Sequence, residues 1–79
     1  MARLLLLGPA REAAGTRSDV IDAETLADVL REAVDRYGTQ FAAVLARSQV
    51  WVNGEAVDPL TSVGPHDEVA VLPPVSGGC

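Results

Sequence analysis

The chain has 79 residues, which is the size of a single small domain with one hydrophobic core and no deep catalytic cleft. Hydrophobic residues make up 48% of the chain, so the sequence falls outside the disordered class. The net charge of −5 argues against nucleic acid as a partner, and the single cysteine excludes a disulfide framework or a cysteine-ligated metal within one chain.

The first part of the chain predicts a strand, a helical turn and a second strand. Residues 3–8 read RLLLLG, an apolar run typical of a central strand and too short for a membrane span or a signal-peptide core. Pro9 suits the first position of a helical turn and Gly15 suits its end. Residues 16–22 are mostly polar, which favours an edge strand. Without a membrane or export signal, we expect a cytoplasmic location.

A long amphipathic helix is the clearest element of the sequence. From Thr25 to Gly38, apolar residues recur at helical spacing and form one stripe: Leu26, Val29, Leu30, Ala33, Val34 and Tyr37. Thr25 with Asp28 resembles a capping box, and Gly38 suits a left-handed C-cap. Such a stripe predicts a helix that covers one face of a sheet.

The second half of the chain predicts a short helix, a β-hairpin and a final strand. Residues 39–47 form the helix, and residues 48–58 form the hairpin, with Asn53-Gly54 as its two-residue turn. A loop anchored by Leu60 follows. The final strand stops at the Pro-Pro pair, because proline donates no hydrogen bond to a sheet.

These elements predict an α+β fold, because one long helix covers only one face of a sheet. The first and last strands are the most apolar and are placed at the centre, as in the β-grasp (ubiquitin-like) arrangement of about five strands in a mixed sheet. We predict a β-grasp domain over residues 1–74 and a flexible tail over residues 75–79.

Strand alternation divides the apolar residues of the central strands between the two faces of this sheet. One set is assigned to the helix-covered face: Leu4, Leu6, Val50, Val52, Val69 and Val71. The other set would form an apolar face without a helix: Leu5, Leu7, Trp51 and Leu72. Such a face is typical of a partner site, with Trp51 as its best aromatic anchor. The alternatives are that short helices and loops cover it, or that the register differs by one residue.

The last eight residues of the sequence read LPPVSGGC. Glycine has no Cβ, so Gly77 and Gly78 can enter a slot only as wide as a backbone. Pro73 and Pro74 stiffen the exit and project the glycines away from the body, although a frayed terminus is the simpler interpretation. A carboxylate on such an arm reacts only after another enzyme activates it, because the chain has no phosphate-binding motif.

Three segments resemble the ubiquitin-like sulfur carriers, most closely the small subunit of molybdopterin synthase. They read GPAREAAGT, VNGE and PLTSVGPHDEVAVLPPVSGG. The resemblance covers almost the whole chain, and the final strand with its tail is the most specific part. It implies a carrier subunit without catalysis or a bound cofactor of its own, paired with a larger catalytic synthase subunit.

The resemblance also implies roles for particular residues. A ubiquitin-activating-type enzyme would use ATP to adenylate the Gly78 carboxylate, which becomes a thiocarboxylate and donates sulfur to molybdopterin, with Gly77 as its slim neighbour. Leu5, Leu7 and Leu72 would lie at the docking surface, and Arg11 would contact a partner or cap its turn. The residues expected to guide the tail are Pro73, Pro74, Val75 and Ser76.

Cys79 departs from this pattern, since members of the family typically end at the second glycine. A peptide bond to Cys79 blocks the Gly78 carboxylate, so we expect a peptidase to remove the cysteine. The sequence leaves two alternatives open. Cys79 was added to the chain or stands in for the thio-terminus, or its thiol carries sulfur as a persulfide.

Other functions also stay open on the sequence alone. The carrier could serve thiamin, cysteine or a sulfur-containing secondary metabolite. It could instead be a ubiquitin-like modifier joined to lysines through Gly78, or a plain interaction domain whose tail Cys79 blocks. His66 and the acidic residues of the long helix are interpreted as solvent-facing.

Overall fold

A computed structural model describes residues 2–73 of the chain. Its strands and helices follow the predicted order: β1 (Ala2–Leu6), α1 (Pro9–Ala14), β2 (Ser18–Ile21), α2 (Leu26–Tyr37), α3 (Thr39–Leu45), β3 (Gln49–Val52), β4 (Glu55–Ala56) and β5 (Glu68–Leu72). The predicted α+β class is confirmed. The expected boundary between domain and tail falls outside the described residues.

The five strands form one mixed sheet in the order β2-β1-β5-β3-β4. The first and last strands, β1 and β5, are parallel neighbours at its centre, where Leu4 pairs with Val69 and Leu6 with Val71. The other pairs are antiparallel, so β2 and β4 are the edge strands. The prediction of a central first and last strand is therefore confirmed.

Helix α2 begins and ends close to the predicted residues. Thr25 caps its start, because the Thr25 hydroxyl accepts a hydrogen bond from the Asp28 backbone N–H at 3.2 Å. Gly38 has a positive φ of 97°, but its ψ of −171° lies outside the left-handed helical region. The predicted left-handed C-cap at Gly38 is therefore wrong. This glycine ends α2 and also precedes the first residue of α3, and that double role requires an extended ψ.

The hydrophobic core lies between the sheet and the three helices. Leu4, Leu6, Val69 and Val71 are fully or almost fully buried on the helix-covered face, as predicted. Helix α1 adds Ala10 and helix α3 adds Phe41, both fully buried. The short helices thus pack on the same side as α2 rather than over the opposite face.

The loop after β4 is anchored differently from the prediction. Leu60 is 78% exposed, whereas Val63 is 7% exposed and its N–H donates to the Glu24 carbonyl at 2.8 Å. Backbone hydrogen bonds explain the difference, because the carbonyls of Pro59 and Thr61 accept from the first N–H groups of α2. The loop is held by its main chain, which leaves the Leu60 side chain in solvent.

The hairpin turn is confirmed as Asn53-Gly54, since both residues have positive φ, at 52° and 84°. Across the described range, the helices are all too short or too polar to cross a membrane.

Candidate functional site

One face of the sheet carries apolar side chains that no helix covers. Trp51 and Leu5 both lie level with Ala70 on β5, so these three residues form a row across β3, β5 and β1. Leu72 and Leu7 extend the apolar surface toward the end where the last strand stops. We call this surface the open face, defined by Leu5, Leu7, Trp51, Ala70 and Leu72.

The side chains of the open face are partly covered by their neighbours in the chain and partly accessible to solvent. Trp51 is 36% exposed, and the other four members are half-buried. At the far end of the face, Arg3 and Glu68 lie opposite each other with their charged groups 3.8 Å apart. The chain therefore presents an apolar strip with a polar border, the usual composition of a protein interface.

The end of β5 is fixed against the start of α1. The Leu7 N–H donates to the Val71 carbonyl at 3.1 Å, which holds the two central strands together to their last residues. Gly8 has a φ of 58°, and a Cβ placed on it would lie 3.4–3.6 Å from the Pro73 ring. The positive φ favours glycine at this position, and the distances show that the Pro73 ring lies beside the chain that follows β1. We call the end of the sheet at which β1 and β5 stop the exit end.

The structure brings together some of the predicted site residues. Leu5, Leu7 and Leu72 share one face with Trp51, and Pro73 lies at the exit end. Arg11 is exposed on α1, where its carbonyl accepts from the Gly15 N–H at 2.9 Å. The remaining predicted residues lie outside the described part of the chain: Pro74, Val75, Ser76, Gly77, Gly78 and Cys79.

A polar cluster that the sequence did not reveal ties edge strand β2 to α2. Asp19 accepts hydrogen bonds from the Tyr37 hydroxyl and, at 2.9 Å, from Arg36 Nη1. These bonds hold the pKa of Asp19 below its usual range, with the Tyr37 bond the larger cause. Burial, together with the neighbouring Asp19 carboxylate, raises the pKa of Tyr37 to about 12. The cluster is structural, because it faces neither the open face nor the exit end.

A second polar cluster joins the hairpin turn to the start of β5. Asn53 Nδ2 donates to Asp67 Oδ1 at 2.9 Å, and the Gly64 N–H donates to Asp67 Oδ2 at 2.7 Å. Both bonds favour the carboxylate, so the pKa of Asp67 is lowered, with Asn53 as the main cause. Asp67 therefore stabilises the turn before β5.

Residues 2–73 contain no side-chain cluster suited to metal binding. His66 is exposed in a turn, and no group of three or more histidine, cysteine, aspartate or glutamate side chains in that range could hold a metal ion. What the described residues offer is a binding face and a fixed point from which the chain leaves the sheet.

This architecture defines a class of protein: a β-grasp domain of the ubiquitin-like type, with a mixed five-stranded sheet and helices on one face. Residues 4–78 match the ThiS family over nearly the whole chain. The chain therefore belongs to the ThiS family, and the predicted resemblance to the ubiquitin-like sulfur carriers is confirmed. Comparison with curated protein sequences gives no match.

Solved structures with the same fold include three informative ones. SAMP1 from Haloferax volcanii is 30% identical, with a TM-score of 0.77 and 98% of each chain covered. A chain of the Amycolatopsis orientalis BexX/CysO complex is 20% identical, with a TM-score of 0.80, and the match covers 99% of this chain and 100% of that one. A chain of the Helicobacter pylori complex of molybdopterin-converting factor subunits 1 and 2 is 24% identical, with a TM-score of 0.70 and coverage of 98% and 97%. At these identities the last two show a shared fold.

Proposed function

We propose that this protein carries sulfur as a thiocarboxylate on Gly78 and donates it to a biosynthetic acceptor. The observation that carries the proposal is the ThiS family match, which runs through Gly78 and so includes the whole Gly-Gly segment. The described structure supports it, because Leu7 and Leu72 extend the open face to the exit end, where Pro73 is the last described residue.

The chemistry needs two displacements, the first at the α-phosphate of ATP and the second at the Gly78 carbonyl carbon. In the first, a carboxylate oxygen attacks the α-phosphate of ATP held by an activating enzyme, and pyrophosphate leaves. In the second, a sulfide nucleophile attacks the carbonyl carbon of the acyl-adenylate, the C–O bond to AMP breaks, and AMP leaves with the original carboxylate oxygen. The carrier's own contribution is binding and positioning: the open face docks, and the slim Gly77-Gly78 segment reaches the enzyme's nucleotide.

The acceptor we favour is the precursor of molybdopterin, with the protein acting as the small subunit of molybdopterin synthase. The fold shared with a chain of the H. pylori converting-factor complex supports a large synthase subunit as partner. The fold shared with a chain of the BexX/CysO complex keeps another sulfur-requiring pathway as the alternative.

Activation requires that the Gly78 carboxylate be free. In this sequence Gly78 is followed by Cys79, so the peptide bond between them must be hydrolysed before adenylation. We propose that a peptidase performs this step.

A second candidate function is protein modification through Gly78. The 30% identity with SAMP1, a small archaeal modifier protein, specifically favours it. An isopeptide bond to a partner's lysine would use the same acyl-adenylate. The chain has no lysine of its own, so it could not form such bonds with itself.

Intact mass spectrometry of the protein purified from its own cells tests both candidates. Carriage predicts loss of Cys79 together with the mass increase of one sulfur-for-oxygen exchange at Gly78. Protein modification predicts a series of conjugates of higher mass. A chain that keeps Cys79 in the presence of the activating enzyme would contradict both.

Two deletions locate the reactive group. Deleting Gly78 together with Cys79 should abolish sulfur transfer while the thermal unfolding curve stays unchanged. Deleting Cys79 alone is the matched control and should preserve transfer without the peptidase. Transfer that survives removal of Gly78 would show that sulfur is carried elsewhere.

A further inference from the structure

Charge is distributed unevenly along the strands of this acidic protein. The exit end is where β1 and β5 stop and where β2 and β3 start, because β2 and β3 are antiparallel to the central pair. The opposite end is where β5 starts and where β2 and β3 stop. Comparing the charged residues at the two ends shows that they differ in sign.

Three of the six arginines lie at the exit end: Arg11, Arg17 and Arg47. Arg17 immediately precedes β2, and its carbonyl accepts from the Leu6 N–H at 2.8 Å, level with the last residue of β1. Arg47 comes two residues before Gln49, which pairs with Leu72 at the end of β5. Arg11 lies in α1, the helix that follows Gly8 and its contact with Pro73.

These arginines stand on both sides of the point where the chain leaves the sheet. In the strand order β2-β1-β5-β3, Arg17 belongs to one flank of β5 and Arg47 to the other. Three strand spacings separate the two flanks, which is roughly 15 Å. Arg11 is placed between them, beyond the end of β1. We call these three residues the arginine rim.

The arginine rim forms no ion pair within the part of the chain that the structure describes. All three arginines are exposed. Glu12 is the acidic residue closest to the rim in sequence. The remaining nearby carboxylate, Asp19, already binds Arg36 and Tyr37. Within a chain of net charge −5, the exit end is therefore locally positive.

Five acidic residues lie at the opposite end of the sheet, together with Arg3, which pairs with Glu68. Asp22 and Glu24 follow β2, and Asp67 and Glu68 lie at the start of β5. Glu55 begins β4 at the same end. The charged residues at the two ends of the strands thus form a dipole whose positive end is the exit end.

We propose that the arginine rim binds a ring of carboxylates on the protein that receives the tail, around the entrance of its channel. The proposal rests on the proposed function, since it concerns the partner of the same tail. Exposed arginine guanidinium groups fit carboxylates in paired hydrogen bonds. A dipole of this orientation turns the tail toward an acidic entrance and turns the acidic end away from it, which raises the association rate.

A polyanion such as nucleic acid is the competing occupant. The overall charge of −5 disfavours it, because long-range repulsion acts on the whole protein as it approaches a phosphate backbone. A short carboxylate ring contacts only the exit end and avoids this repulsion. The charge distribution therefore favours a protein surface.

The first test is direct and does not need the natural partner. The amide signals of the ¹⁵N-labelled full chain are followed by NMR at low salt during addition of a decaglutamate peptide. We expect shifts confined to residues 8–18 and 46–49, which a decalysine peptide does not produce. Shifts spread over the molecule, or none, would overturn the proposal. Binding of a single-stranded oligonucleotide as tight as that of decaglutamate would replace it with the nucleic-acid alternative.

The second test uses the activating enzyme encoded by the source genome. Arg17→Glu combined with Arg47→Glu should lower kcat/KM for Gly78 adenylation by roughly tenfold at low salt, and the difference should shrink as salt is added. Arg31→Glu, on the exposed side of α2, makes the same charge change as Arg17→Glu alone, and these two single variants form the matched comparison. Equal losses in Arg31→Glu and Arg17→Glu would show an effect of net charge alone and would contradict a role for the arginine rim.

The two proposals fail in distinguishable ways. If the unmodified protein is adenylated and the rim variant is adenylated equally fast, the arginine rim has no role and the sulfur-carrier function stands. If the unmodified protein lacking Cys79 is never adenylated, the proposed function fails, and the decaglutamate titration still decides whether the rim binds carboxylates. Thermal unfolding of each variant shows that the fold is retained.

Discussion

The two faces of the sheet are built from the same strands and differ in whether helices cover them. On one face, Leu6 and Val71 are fully buried under helices. On the other, Leu5 and Leu72 alternate with them along the chain and remain half-buried without a helix above them. Alternate residues of one strand therefore differ in burial, and under the proposed function the half-buried set contributes to binding and the buried set to stability. Substitutions on the two faces should separate these two properties.

The largest effect on stability is expected from Leu6→Ala. Leu6 is fully buried between the sheet and the helices, so the substitution leaves a cavity and should lower the free energy of unfolding by about 2–5 kcal/mol. Leu5→Ala is the matched control on the open face and should cost clearly less. Urea unfolding followed by circular dichroism measures both. Equal costs would mean that the open face belongs to the core.

The next largest effect concerns binding rather than stability. Trp51→Ala should weaken association with the activating enzyme by about 2 kcal/mol, roughly thirtyfold, because a central aromatic anchor is lost. Trp51 is 36% exposed, so unfolding should change much less than in Leu6→Ala. Trp51→Phe keeps a ring and should retain most of the affinity. Unchanged affinity in Trp51→Ala would place the docking surface elsewhere.

A smaller effect is expected at the cluster that joins β2 to α2. Tyr37→Phe removes the hydrogen bond to Asp19 and should cost about 1 kcal/mol at pH 7. The pKa of Tyr37 is raised from 10.0 to about 12, so its contribution is complete below pH 10 and is lost as the pH rises toward 12. Between pH 8 and pH 12, the free energy of unfolding should therefore fall more steeply for the unmodified protein than for Tyr37→Phe.

The pKa of Asp19 sets a lower pH limit for the contribution of the same cluster to stability. Its pKa lies below the ordinary value of 3.8, so its contribution is present above pH 3.8 and is lost as the pH falls below it. Asp19→Asn should flatten this acid dependence. If the free energy of unfolding of Tyr37→Phe at high pH and of Asp19→Asn at low pH follows that of the unmodified protein, the cluster does not contribute to folding.

The smallest effect is expected at Leu60. Its side chain is 78% exposed, so Leu60→Ser should change the free energy of unfolding by less than about 0.5 kcal/mol. Val63→Ala in the same loop should cost more, because Val63 is the buried anchor. A large loss for Leu60→Ser would indicate a contact beyond residues 2–73.

Much of the fold could be predicted from the sequence because its signals are local. Helical spacing located α2, the Asn53-Gly54 pair located the hairpin, and two-residue alternation assigned the faces. Leu60 was predicted wrongly because an apolar residue in a loop was taken to be buried. The backbone carbonyls that hold this loop against α2 leave no signature in residue types.

A smaller part of the candidate site than of the fold could be predicted from the sequence. Strand alternation predicted the open face, and the motif near the C-terminus was the most specific indication of the family. The arginine rim was missed except for Arg11, because Arg17 and Arg47 are far apart in sequence and meet only through the strand order. The Asp19 cluster was missed for the same reason, since 17 residues separate Asp19 from Arg36.

The parallel pairing of β1 with β5 has a consequence during protein synthesis. Strand β5 is the middle of the sheet, with β1 on one side and β3 on the other, so a nascent chain that lacks residues 68–72 has a gap where three strands should join. The sheet can form completely only after that strand has left the ribosome. A chain translated only as far as residue 67 therefore cannot form the open face, because Ala70 and Leu72 belong to the missing strand.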